Sequence, residues 1–204
     1  MKSNGFRIRN RTYYYISNDI AYCITFEQPT GLMYIWAHIN PLYMPNNFLS
    51  LTYGNRLNHI SDVRLPPLEK NANSAEIDQW CDDLLRYLDN VILPFFRQND
   101  TPQKLVTYVE QPGRELVTRI ICCPSIWLER LRMYTYMYLR DIPKVKCCIK
   151  SYRNEVYDCR FLTTVLQGEK IAETDNIYQI VSAGEDAIAS FCEQTIQHSQ
   201  TLFE

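Results

Sequence analysis

Glycine, histidine and long apolar runs are scarce in this chain, and each scarcity removes a class of function. The six glycines are scattered, and none falls into the G-x-x-x-x-G-K or G-x-G-x-x-G spacing with which backbone amides cradle a phosphate. His38, His59 and His198 are the only histidines, so schemes in which imidazole moves protons have few residues to draw on. No Cys-x-x-Cys occurs either: Cys122-Cys123 and Cys147-Cys148 are adjacent pairs, and the other four of the eight cysteines stand alone. Structural zinc usually takes ligands separated by about two to four residues. The thiols are therefore expected to be small buried hydrophobes, and neither a metal nor a cofactor is expected. No window is long and apolar enough to span a bilayer, and Met1–Arg7 carries no apolar leader core, so a cytoplasmic protein with no membrane contact is expected. Charge of one sign is lacking as well. Residues 1–70 hold 7 Lys/Arg against 4 Asp/Glu and residues 71–204 hold 14 against 19, which is too mild for a nucleic-acid footprint.

What is present is core material. Apolar residues make up 46% of the 204, charged residues 22%, and 15 Tyr, 8 Phe and 3 Trp make the chain aromatic-rich. Such a composition folds. The organising stretch runs from Asn73 to Phe96, where Ile77, Trp80, Cys81, Leu84, Leu85, Leu88, Ile92 and Phe95 recur at helical spacing. Asn73 with Glu76 forms a capping-box start, and Pro94 is expected to kink or close the last turn because it has no N–H to give.

Before this helix the pattern has period two. Thr12–Ile16 and Ile20–Phe26 flank Ser17-Asn18-Asp19 as a hairpin, with Ile20, Tyr22, Ile24 and Phe26 on one face. Leu32–Ile39 is apolar on both faces, which fits a central strand. A fourth strand is expected from Phe48 to Tyr53, ending at Gly54-Asn55. Leu65–Ala72 is the one candidate loop.

After the long helix the period turns helical throughout. Thr101-Pro102 starts a helix with Leu105, Val106 and Val109 inside, and Gln111-Pro112-Gly113 stops it. A short helix is expected around Arg114–Ile121. Ile126–Leu139 is apolar around much of its circumference and should be central in its layer, while its arginines argue against a membrane. Asp141-Ile142-Pro143 opens a helix expected to run toward Gln167 with Gly168 as its C-terminal cap; residues 169–181 are weaker, and Ser182 with Glu185 forms a second capping box. No repeat near 34 residues is found. The fold expected is α+β, with an antiparallel sheet of about four strands on a long helix in residues 1–110 and an all-helical extension in 111–204. Residues 73–97 and 101–111 supply the helices of the first part.

Gly5-Phe6-Arg7, Tyr13-Tyr14-Tyr15, Asp19-Ile20 through Phe26-Glu27-Gln28, Tyr34-Ile35 through Ile39, Asn55-Arg56-Leu57, Trp80 and Leu93-Pro94-Phe95 come in an order that resembles a bacterial domain-of-unknown-function family, number 4304. The resemblance covers about residues 4–110. It departs at Asn10, where a turn glycine is expected and asparagine can substitute in the left-handed region. The resemblance implies an antiparallel sheet packed on a helix, and it carries no catalytic residues to transfer.

Two clusters are candidate sites. Tyr34, Trp36 and His38 share a strand face, and Arg56 and His59 follow closely, so these five could line an aromatic, basic, ligand-binding site; the competing reading packs the rings under the later helices. Cys23 and His38 lie on neighbouring strands, but nothing marks Cys23 as a low-pKa thiol. Arg7, Arg9 and Arg11 alternate ahead of Tyr13 and Tyr15 as on single-strand nucleic-acid surfaces. A solvated edge strand that resists aggregation explains the same arginines. The functional expectation is a non-catalytic bacterial protein that binds another protein, as an adaptor or immunity protein does, with a small-ligand binder or enzyme on the aromatic sheet face as the alternative.

Overall fold

A computed structural model describes residues 5–60, 62–111, 120–121 and 123–204. Its first third is an antiparallel sheet of β1 (Arg7–Arg9), β2 (Thr12–Ser17), β3 (Ile20–Glu27), β4 (Leu32–Pro41) and β5 (Gly54–Arg56), paired in that order, with β6 (Leu68–Glu69) beside the start of β4. Turn chemistry sets the register. Asn18 and Asp19 both take positive φ, as a two-residue hairpin turn requires, and this places Ser17 opposite Ile20 and Tyr14 opposite Cys23. Asn10, at φ 43°, makes the turn between β1 and β2.

Each face of the sheet meets a different part of the chain. Tyr22, Ile24, Ile35, Ala37 and Ile39 point into the main core, which continues without a break through the helices to Ile188 and Cys192. Over this face lies the helix α1 (Ser74–Tyr87), continued by a π turn (Leu88–Ile92) and α2 (Leu93–Gln98). Asn73 and Glu76 form the expected reciprocal cap. Trp80, Leu84, Leu88, Ile92 and Phe95 are buried, whereas Ile77, Cys81 and Leu85 are exposed because the sheet covers a narrower stripe than the periodicity spans. Pro94 does not end the helix. The ladder widens just before it, with the Leu93 N–H donating to the Leu88 carbonyl, and the helix runs on to Gln98.

Phe48–Tyr53 is not a strand. That segment bulges away from the sheet, and pairing resumes only where Tyr53 accepts from the Ile39 N–H and β5 begins. Gly54 is there because β5 crosses close over β4: a Cβ would sit 2.2 Å from the His38 Cβ.

The helical layer comprises α3 (Pro102–Glu110), α4 (Ser125–Tyr138), α5 (Ile142–Asp158), α6 (Thr164–Ala183) and α7 (Glu185–Thr201). The helix expected around Arg114–Ile121 falls largely outside the described residues. Thr101 and Asp141 cap α3 and α5 as expected, and α4 is central, packed on α3, α5 and α7. The C-terminal boundaries differ from expectation. Helix α5 stops at Asp158, Thr163 caps α6 through the Leu166 N–H, and Gly168 lies inside α6, where its missing side chain leaves open space. Residues 169–181 are therefore full helix. Ser182 caps nothing, since Gly184 at φ 102° makes the corner into α7. No helix among the described residues is long and apolar enough to cross a membrane.

The end of α7 folds back over the other face of the sheet. Phe203 and Leu202 pack with Tyr14, Ala21, Cys23 and Leu42, and the Tyr14 hydroxyl donates to the Phe203 carbonyl at 2.7 Å.

Candidate functional site

The five residues expected to line one site are divided by the fold. Trp36 and Arg56 are opposite one another on β4 and β5, Glu27 and Tyr34 are opposite on β3 and β4, and these four do come together. The Arg56 guanidinium lies 4.2 Å from the Tyr34 ring centroid and 5.2 Å from that of Trp36, and it pairs with Glu27 at 2.9 Å. Trp36 Nε1–H donates to the same Glu27 oxygen at 2.7 Å. The Trp36 hydrogen bond, together with the Arg56 charge and hydrogen bond, outweighs partial burial and holds the Glu27 carboxyl below the usual carboxylate range. The rings thus meet the protein's own cation in a closed, half-exposed cluster.

His38 shares the β4 face of Tyr34 and Trp36 but is fully buried. The Asn40 carbonyl oxygen accepts the Ser50 N–H, which fixes its amide so that Nδ2 donates to His38 Nδ1 at 3.0 Å. Nε2 then carries the proton and donates to Thr25 Oγ1, which contacts Thr12 Oγ1. Burial pulls the His38 pKa down to about 3, so the ring is neutral and both nitrogens are occupied. Cys23 is opposite His38 in register, yet burial pushes its thiol up to about 12. A Cys–His nucleophile is excluded by this arrangement. His59 is exposed on a 3₁₀ turn (Leu57–His59), outside the cluster.

Arg7 and Arg9 do not share a face with Tyr13 and Tyr15. The turn at Asn10-Arg11 pairs Arg9 with Thr12 and Arg7 with Tyr14, so Tyr13 and Tyr15 point to the opposite face. Arg9 donates to the Thr201 carbonyl at the end of α7. A continuous stacking strip of Arg7, Arg9, Arg11, Tyr13 and Tyr15 is therefore not formed.

Two other features stand out. The first is a polar cluster around Glu173 of α6. Its carboxylate accepts from Arg130 at 2.7 Å, Tyr134 at 2.8 Å and Tyr152 at 3.1 Å, with Lys170 3.7 Å away. Burial works against ionisation here, but Arg130, Lys170 and the Tyr134 hydrogen bond win and hold the carboxyl low. Arg130, 8% exposed, also donates to the Pro45 carbonyl at 3.0 Å. Together with Lys170 and Trp127, it faces a cavity of about 320 Å³ under the 45–53 bulge. Sequence reading missed this site because its residues are spread over the bulge, α4 and α6.

The second feature is apolar surface. At the tip where α5 turns into α6, Phe161 is 96% exposed, with Tyr157 at 66% and Val165 at 72%. A wider groove of about 770 Å³ runs between residues 66–73 and α1, but several of its polar groups are spent on structure. Asn73 and Glu76 cap the helix, Trp80 Nε1–H donates to the Pro66 carbonyl, and Asp83 pairs with Arg86. Among the described residues no group of three or more His, Cys, Asp or Glu is placed to hold a metal ion. Comparison of the chain with protein-family models, curated proteins and solved structures returns no match.

Proposed function

We propose that this chain is a non-catalytic protein-binding protein of the bacterial cytoplasm, an adaptor or immunity-type molecule, which engages its partner through the α5–α6 tip. The observation that carries the reading is Phe161, a nearly naked ring at a helical corner flanked by Tyr157 and Val165. Apolar side chains gathered at a projecting tip lower free energy when a partner covers them, and aromatic anchors of this kind dominate binding at protein interfaces. The groups best suited to proton transfer or nucleophilic attack, His38 and Cys23, are meanwhile held neutral in structural contacts.

Site-specific photo-crosslinking in the host tests this. A photoreactive residue at position 161 should give a discrete protein adduct, one at exposed Lys146 of α5 should not, and Val165→Asp should abolish the first. Absence of any adduct at 161, or adducts only with lipid, would overturn the proposal.

A further inference from the structure

We infer that the cavity between the 45–53 bulge, α4 and α6 binds a small organic anion, a carboxylate or phosphate monoester on a single-ring or similarly compact apolar body. This site is separate from the α5–α6 tip and does not depend on its role. Charge comes first. Arg130 and Lys170 both face the cavity, while the one carboxylate they share, Glu173, lies with its oxygens already taken up by Arg130, Tyr134 and Tyr152. Among the described residues the two cations share this one carboxylate, which leaves an excess of one positive charge beside Arg130, itself 8% exposed, for an anion to meet.

The second observation is independent of charge. Tyr53 is 2% exposed and lines the same cavity beside Arg130, whose guanidinium can only donate to the phenol oxygen, so among the described residues the phenol's own proton has no acceptor. A buried phenol normally finds an acceptor. An anionic oxygen held by Arg130 supplies one. Part of the lining accounts for the body of the ligand: beside polar Asn46, Asn47, Ser50 and Thr52, Trp127 and Phe48 give apolar walls, with Lys170 Nζ 5.1 Å from the Trp127 ring centroid, and Phe48, 70% exposed, would be covered by an occupant. The volume is at the small end for ligand pockets, which limits the guest to about one ring and its anionic group.

The cavity is also built in advance. The bulge is pinned at Ser50 by Asn40 from the sheet and at Pro45 by Arg130 from α4. Pre-formed walls spare the ligand the cost of ordering them.

The test uses the full chain labelled with 5-fluorotryptophan, in which Trp36, Trp80 and Trp127 give three fluorine resonances, assigned by Trp127→Phe. Benzoate and phenyl phosphate are titrated separately, with benzyl alcohol, benzylamine and inorganic phosphate as comparisons. The expected result is a saturable shift confined to Trp127 with at least one aryl anion, and affinity at least about tenfold weaker for the neutral and cationic analogues. Tyr53→Phe should fold as well as the parent yet bind about five- to tenfold more weakly, because it loses a hydroxyl whose proton has no acceptor among the described residues without ligand. Lys170→Gln, at a side chain 22% exposed, should weaken binding comparably. No saturable shift with either aryl anion, equal binding of the neutral analogue, or unchanged affinity in both variants would overturn the inference. Inorganic phosphate binding as tightly as phenyl phosphate would remove the apolar body from it.

Discussion

His38 shows how one side chain converts burial into a pH response. Its folded pKa, about 3, lies below the ordinary histidine value of about 6.5, so the unfolded chain binds the extra proton between those limits. Stability is therefore full above pH 6.5 and falls as pH drops toward 3. The other histidines, His59 and His198, are exposed. Thermal unfolding followed from pH 7.5 to 5 should show a decline of several degrees in Tm that is largely lost in His38→Gln; equal slopes would contradict the neutral buried ring. The histidine was visible in the sequence as one of a polar-aromatic set, but its depth was not. Alternation along β4 tells which residues share a face, whereas what closes over that face, the 45–53 bulge tied at Ser50 to Asn40 and the end of α7 packed on Cys23, lies outside the strand.

At the scale of elements, three helix caps were legible, while the Thr163 cap and the corner at Gly184 were not. Asn73, Thr101 and Asp141 cap helices because each pairs a short polar side chain with an N–H three residues on, a local pattern. Gly168 and Gly184 look alike in sequence, and only backbone conformation separates them. Gly184 sits at φ 102° and ψ −175°, a region nearly closed to other residues, so Gly184→Ala should cost on the order of 1–3 kcal/mol although no atom obstructs the new methyl. Gly168 is helical and unobstructed, so Gly168→Ala should stabilise by about 0.5–1 kcal/mol. Urea unfolding of both variants checks the pair, and effects of the same sign would refute the assignment of the corner. The organising helix has its own test. Trp80, 8% exposed and hydrogen-bonded to Pro66, should cost about 3–5 kcal/mol as Trp80→Ala in the same assay, and a negligible loss would deny it the role of anchor.

Across the whole molecule the thiols report how the layers close. Among the described residues Cys23, Cys123, Cys148 and Cys192 are buried and Cys159 is half-buried, but Cys81 and Cys147 are exposed and depart from the expectation of small buried hydrophobes. Burial raises Cys23 and Cys148 to about 12, so they are both shielded and protonated at neutral pH. Mass spectrometry after brief alkylation of native protein should find Cys81 and Cys147 modified and Cys23 and Cys148 spared until the fold is opened; rapid modification of Cys23 would mean that the end of α7 does not seal the sheet. The class of the fold, an antiparallel sheet backed by a long capped helix and followed by helices, could be read from periodicity because each element carries its own pattern. The Arg130–Glu173 cavity could not, since no local pattern links the bulge at Pro45 to α4 and α6.

The contact between Tyr14 and Phe203 joins residues 189 positions apart. During synthesis the hairpin can form as soon as β3 has left the ribosome, yet its outer face stays bare while about 170 further residues are made, roughly ten to thirty seconds at ordinary elongation rates. Over that interval the nascent sheet exposes Tyr14, Ala21 and Cys23 to whatever surrounds it, so the hairpin is a natural place for a chaperone to hold this chain.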